Sequence, residues 1–169
     1  DPLDGTTNYV HGFPYYSVSI GLECRGEMIV GVVFDPIHDE MFSAVRGEGA
    51  SLNRRPLKCS AIDSLGHSLL IASLPVSLDE RDDAVQRFLR VLPVAQAVQR
   101  TGSAALNLAN IAAGRVEGFW STNLKPWDMA AGVLLVEEAG GRISKIDGSP
   151  FNLELPNLLA TNGTAIHDE

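Results

Sequence analysis

An α+β fold of sheet and helix in mixed layers follows from three features of the 169-residue chain. Residues 13–24 (FPYYSVSIGLEC) and 27–34 (EMIVGVVF) alternate aromatic or β-branched residues with small ones, as strands of a hairpin do. Three later segments carry apolar residues at helical spacing. Helices and strands are interspersed without a strict βαβ rhythm, which favours mixed layers over a purely parallel sheet. The length fits one domain over residues 1–169 at the usual ~100–200 residues per domain.

Along the chain, Arg25-Gly26 joins the first hairpin, and 41–46 continues the meander between turns marked by Gly47, Gly49 and Asn53. The run at 69–74 (LLIASL) reads as a buried strand. Residues 79–92 place Val85, Phe88, Leu89 and Leu92 on one helical face, with Asp79 and Glu80 at the positive end and Pro93 as the stop. A second helix over 103–113 has Ser103 as its N-cap and Gly114 as its terminator. A third, over 126–139, starts at Pro126 and is closed by Gly140-Gly141. Residues 142–146 and Leu158–Thr161 read as strands.

Hydrophobic residues make up 45% and charged residues 20%, as in ordinary globular proteins. The net charge of −8, with no basic block, argues against nucleic acid or an anionic membrane as partner. No apolar run reaches the ~20 residues that span a bilayer, and no secretory signal is visible. Cys24 and Cys59 form neither a disulfide framework nor a zinc set. They read as buried or half-buried free thiols of a reducing compartment, so a cytoplasmic location is expected.

The chemistry concentrates in two motifs. The first is DPLDGTTN, residues 1–8. It sets two carboxylates three residues apart across a stiff proline, then gives Gly5 freedom for close backbone approach. Thr6 and Thr7 offer hydroxyls suited to capping a helix, whose exposed N–H groups would attract an anion. Carboxylates beside such amides suit an oxygen-loving cation bridging to a phosphate. A plain surface turn is the other reading. The second motif is WDMAAGVLLVEEAGG, residues 127–141, with Asp128 in the first turn of its helix. Asp128 could cap backbone N–H groups or ligate a metal. Ala130, Ala131 and Gly132 are small enough for another element to pack closely.

In this order and separation, the two motifs resemble the paired signatures of the inositol monophosphatase family. FPYYSVSIGLEC, GVVFDP, GEGASLN and RTGSAALNLANIAAGRVEGFW are similar to that family's flanking strands and substrate-side helix. The resemblance covers nearly the whole chain. It implies the layered αβαβα sandwich of the sugar-phosphatase superfamily, here N-terminally truncated. It also implies a Mg²⁺-dependent phosphomonoesterase, inhibited by Li⁺, that hydrolyses a small polyol or sugar phosphate such as myo-inositol 1-phosphate.

By that resemblance Asp1 bridges two metal ions, Leu3 gives its carbonyl to one, and Asp4 and Asp128 ligate the second. Gly5 and Thr6 would hold the phosphate through backbone N–H groups. The Thr6 hydroxyl, with Asp4, would serve the catalytic step, an in-line attack by metal-activated water. Gly102, Ser103, Ala104 and Asp128 would border the alcohol part of the substrate. A plain helix start is the other reading for residues 102–104. A homodimer is also implied.

Two departures stand out. The family's upstream glutamate and the acidic partner of its threonine have no match, because the sequence begins at Asp1. The chain is therefore expected to bind metal weakly and turn over slowly, with a cationic α-amino group beside the bridging carboxylate. Ser121 stands where inositol-handling members commonly have glutamate, and Lys125 is a nearby candidate for a second acidic group. Histidinol phosphate, fructose 1,6-bisphosphate and nucleotide 3′-phosphates are therefore alternative substrates. A non-catalytic binding module of the same fold is the remaining alternative.

Overall fold

The computed structural model describes residues 1–75, 79 and 82–169. In chain order its elements are α1 (Thr6–Val10), β1 (Val18–Cys24), β2 (Glu27–Asp35), β3 (Glu40–Val45), β4 (Gly49–Leu52) and β5 (Arg55–Pro56). A 3-10 turn (Leu65–His67) leads to β6 (Leu69–Ser73), α2 (Asp83–Val91), β7 (Ala97–Gln99), α3 (Ala104–Ala112), β8 (Gly118–Ser121) and α4 (Pro126–Glu138). Then come β9 (Arg142–Ser144), β10 (Leu158–Thr161) and a 3-10 turn at Ala165–His167.

Strands β1 to β5 form one antiparallel meander in sequence order. The second sheet runs β7-β6-β8-β10-β9, with β6 parallel to both β7 and β8 and β10 antiparallel to β8 and β9. Helices α3 and α4 lie between the sheets. Their Leu106, Ala109, Leu134 and Leu135 pack on Val33, Phe42 and Ala44 of the first sheet. Leu108, Ile111, Met129 and Val133 pack on Ile71, Phe119 and Ala160 of the second. The alternate residues of that sheet, Leu70, Ala72 and Trp120, face Phe88 and Val91 of α2. This is the period-two alternation of a sheet covered on both faces. The layers run sheet, helix pair, sheet, helix, as an α+β sandwich. Among the described residues no helix is long and apolar enough to cross a membrane.

Small residues let α4 sit deep. Gly21 and Gly31 face each other across β1 and β2. A Cβ at Gly21 would lie 2.7 Å from the Ala130 Cβ, and one at Gly31 would lie 2.6 Å from the Ala131 carbonyl oxygen. On α4's opposite side, a Cβ at Gly132 would meet the Leu108 Cβ at 2.5 Å. The small trio expected to permit close packing therefore does so toward both the sheet and α3.

Several boundaries differ from the sequence reading. Residues 13–16 are loop rather than strand, since Pro14 has no N–H to donate and Tyr15 N–H bonds locally to the Phe13 carbonyl. Helix α2 begins at Asp83, because the Asp82 side chain caps it by accepting the Ala84 N–H at 2.8 Å. Asp79 precedes that helix, and Glu80 lies outside the described residues. Strand β4 falls within GEGASLN, the segment likened to a family strand, whereas the short strands β5 and β7 form where none had been expected. Cys24 is exposed at the end of β1, not buried; Cys59 is half-buried, and burial pushes its thiol up to about 11.

Candidate metal centre

The first motif runs along the edge of the first sheet. Asp1 and Ser19 exchange main-chain hydrogen bonds of 2.7 and 2.9 Å, and Asp4 and Ser17 exchange two of 2.9 Å. Between the two pairs the β1 side advances two residues and the motif advances three. That is a β-bulge, with one residue in excess. A regular strand would turn residues i and i+3 to opposite faces; the bulge turns Asp1 and Asp4 to the same one. Pro2 fits there because its nitrogen has no proton to leave unpaired. The α-amino group of Asp1 is directed at the Ser19 carbonyl.

Gly5 then takes φ +88°, a left-handed conformation that suits glycine. A Cβ there would also lie 2.9 Å from the Tyr15 carbonyl oxygen. Helix α1 starts at Thr6 with no side-chain cap. The expected threonine cap is absent because Thr6 already lies inside the first turn. Its hydroxyl instead donates to the Leu3 carbonyl at 2.9 Å.

The carboxylates of Asp1, Asp4 and Asp128 converge, each offering an oxygen within 4.8 Å of the others. Each is held by a main-chain N–H. Leu3 N–H donates to Asp1 Oδ1 at 2.9 Å, Ala105 N–H to Asp4 Oδ2 at 2.8 Å, and Lys125 N–H to Asp128 Oδ2 at 2.8 Å. The Ser103 hydroxyl also donates to Asp4 Oδ2, at 2.6 Å. Among the described residues these bonds fall on one oxygen of each carboxylate and leave the other for a cation. Asp128 thus caps α4 and still joins the cluster. Burial holds the Asp4 carboxyl above its ordinary range, against the Ser103 and Ala105 donors that favour the charged form; the nearby Asp128 raises it further. Three like charges with oxygen-only donors, pre-oriented by backbone, fit a hard divalent cation, which would relieve their mutual repulsion.

A cavity of about 120 Å³ adjoins Asp4 and Asp128 and is bordered by Gly102, Ser103 and Ala104 at the start of α3. The Ser103 side chain caps α3, accepting the Leu106 N–H at 3.3 Å. Ser121 is fully buried, its Oγ accepting the Asn123 N–H, and it does not line this cavity among the described residues.

Sequence reasoning gave no role to Asn8. Its amide donates to the Tyr15 carbonyl at 2.7 Å and to the Thr101 carbonyl at 2.8 Å. Gly102 (φ +91°) makes room for it, since a Cβ there would lie 2.8 Å from Asn8 Nδ2. Asn8 therefore straps the carboxylate loop to the loop before α3. Behind it, the Tyr15 hydroxyl donates to Asn107 Oδ1 at 3.0 Å and accepts from Asn110 Nδ2 at 3.1 Å, while Thr101 Oγ1 donates to the same Asn107 oxygen at 2.6 Å. The motif's closing asparagine was the available signal, but its partner Thr101 lies 93 positions away in sequence.

An α+β sandwich whose aspartates meet where two helices begin beside a sheet edge defines a class of acidic, cation-receptive proteins. Comparison narrows it. The inositol monophosphatase family profile matches residues 1–169. An inositol-1-monophosphatase of Synechocystis is 45% identical over 170 residues, covering 100% of this chain and 59% of that protein. A Pseudomonas aeruginosa protein named Nus factor SuhB is 44% identical, over 96% of this chain and 61% of its own length. The inositol monophosphatase structure from Anabaena superposes with a TM-score of 0.93 at 46% identity, over 99% of this chain and 67% of that one. The chain belongs to the inositol monophosphatase family, and it spans about 60% of the length of these curated relatives.

Proposed function

We propose that this chain carries the metal and phosphate site of a Mg²⁺-dependent phosphomonoesterase acting on a small polyol or sugar phosphate, with myo-inositol 1-phosphate the first candidate. The observation that carries this reading is the convergence of Asp1, Asp4 and Asp128 within 4.8 Å. Those residues and the Leu3 carbonyl would hold the cation, which when bound supplies Lewis-acid polarisation of phosphate oxygens and a lowered water pKa.

The chain's own groups do the rest. Ser103 and Ala105 fix the rotamer of Asp4, so its remaining oxygen is already aimed. The N–H groups of Gly5 and Thr6, at the start of α1, have no intrahelical acceptor and would receive the phosphate oxygens. The Thr6 hydroxyl proton is committed to Leu3, so Thr6 Oγ1 can accept a hydrogen bond from a water and orient its lone pair toward phosphorus. Residues 102–104 would border the alcohol part. Relatives named Nus factors favour a second reading, a role beside other proteins that needs no turnover.

Phosphate release separates the two. The full-length protein that carries this chain is assayed with and without Mg²⁺ on inositol 1-phosphate, histidinol phosphate, fructose 1,6-bisphosphate and a nucleotide 3′-phosphate, beside Asp128→Asn. Mg²⁺-dependent release that disappears in the variant is expected. Folded protein that releases nothing, or a variant as active as the parent, overturns the phosphatase reading.

A further inference from the structure

We propose that Arg100 is a specificity-determining residue that binds a second anionic group, phosphate or carboxylate, on the alcohol part of the ester. The inference rests on the phosphatase reading and adds a substrate class to it.

The cavity beside the carboxylates is lined by charges of both signs. Asp4 and Asp128 line it, and among the described residues that line it only Arg100 is a cation. Ser73 and Asn107 add polar groups, and Phe119 and Leu124 close it with apolar surface. Arg46, Arg115 and Arg142 pair with Glu137, Glu40 and Asp168. Arg100 has no ion pair or hydrogen-bond partner among the described residues and is exposed. Its five donors are available to an incoming molecule.

The backbone that carries Arg100 is fixed on both sides. Gln99 ends β7, paired with Ile71 of β6. The next residue, Thr101, gives its carbonyl to Asn8 and its hydroxyl proton to Asn107. The guanidinium therefore swings from an anchored base beside the cavity. A planar fork matches phosphate or carboxylate bidentately, whereas a neutral polyol gives it no comparable partner. An anion-rich substrate also needs a positive group here, since the other charged residues lining the cavity among the described residues are the two aspartates. Ser121 and Lys125, the positions that sequence reasoning offered for specificity, are not among the residues lining the cavity.

The experiment compares kcat and KM of the full-length wild-type protein, Arg100→Gln and Arg100→Lys on fructose 1,6-bisphosphate and on inositol 1-phosphate. Circular dichroism and Tm confirm folding, and Arg100→Lys carries the test if the glutamine variant does not fold. The ratio of kcat/KM values, bisphosphate over monophosphate, should fall about 10–100-fold in Arg100→Gln, the worth of a charge-assisted hydrogen bond. The loss should lie mainly in KM, because the contact is to a part of the substrate that does not react. Arg100→Lys should be intermediate. A ratio unchanged within about twofold, or a loss confined to kcat, overturns the assignment of Arg100 while monophosphate hydrolysis upholds the enzyme. No release from either ester by wild type overturns both.

Discussion

The Ser103 hydroxyl donates to Asp4 Oδ2 at 2.6 Å while its oxygen accepts the Leu106 N–H at 3.3 Å, so one side chain caps α3 and steers a carboxylate of the acidic centre. Ser103→Ala removes both. Loss of the cap should cost about 0.5–2 kcal/mol in urea unfolding. The Mg²⁺ midpoint, read by calorimetry, should weaken about 10–100-fold, as when an outer partner of a metal ligand is lost. Ser103→Thr should recover most of both. An alanine variant that keeps the Mg²⁺ midpoint would show that Asp4 needs no such guide.

Gly31→Ala places a Cβ 2.6 Å from a backbone oxygen, which cannot swing aside as a side chain would. Overpacking of about 1–3 kcal/mol is expected. Gly66→Ala, whose nearest neighbour is 3.8 Å away, serves as the contrast and should leave Tm nearly unchanged. Equal Tm values for the two variants would contradict the packing described between α4 and the first sheet.

Burial pushes the Tyr15 hydroxyl up to about 12, so it stays protonated and keeps donating to Asn107 through the ordinary pH range. Tyr15→Phe leaves the half-buried network short of a donor and an acceptor, at about 1–3 kcal/mol. For a chain of this size that is roughly 2–4 °C of Tm per kcal/mol. A Tm matching wild type would mean the network contributes nothing net.

His167 is buried between Ser144 and Thr161, whose hydroxyls lie 2.9 and 2.8 Å from its two ring nitrogens. Burial, then Arg142, holds its pKa below the ordinary value of 6.5. The fold thus prefers the neutral ring, and the unfolded chain binds the extra proton. This contribution is complete above about pH 6.5 and is lost as pH falls through the folded value. Between pH 7.5 and 5, wild-type Tm should decline more steeply than that of His167→Gln. Parallel curves would remove His167 from the acid response.

Much of this was legible one turn at a time. Ser103, Gly114, Pro126 and Gly140 mark the limits of α3 and α4 within a residue or so, because caps and stops act through local backbone geometry. The family was likewise carried by two short motifs, and the fold class by the hairpin and helical patterns. What escaped was set by distant partners. β7 has three residues and forms only because β6 lies alongside. The aromatic run 13–16 has strand composition, but strand-like pairing with the neighbouring chain begins only at Ser17. The odd spacing of Asp1 and Asp4 hinted at a bulge, but the paired serines that define it follow only from the register.

Asn8 bonds to Thr101 across 93 positions, so it closes a loop longer than half the chain without a covalent link. Contacts of such separation repay their entropy only when the intervening strands are already in place. The two halves of the centre should therefore meet late in folding, after the sheets that carry them. Cation binding would then report on completion of the native state: a molecule with correct secondary structure but an open strap would be indistinguishable by circular dichroism and mute to Mg²⁺.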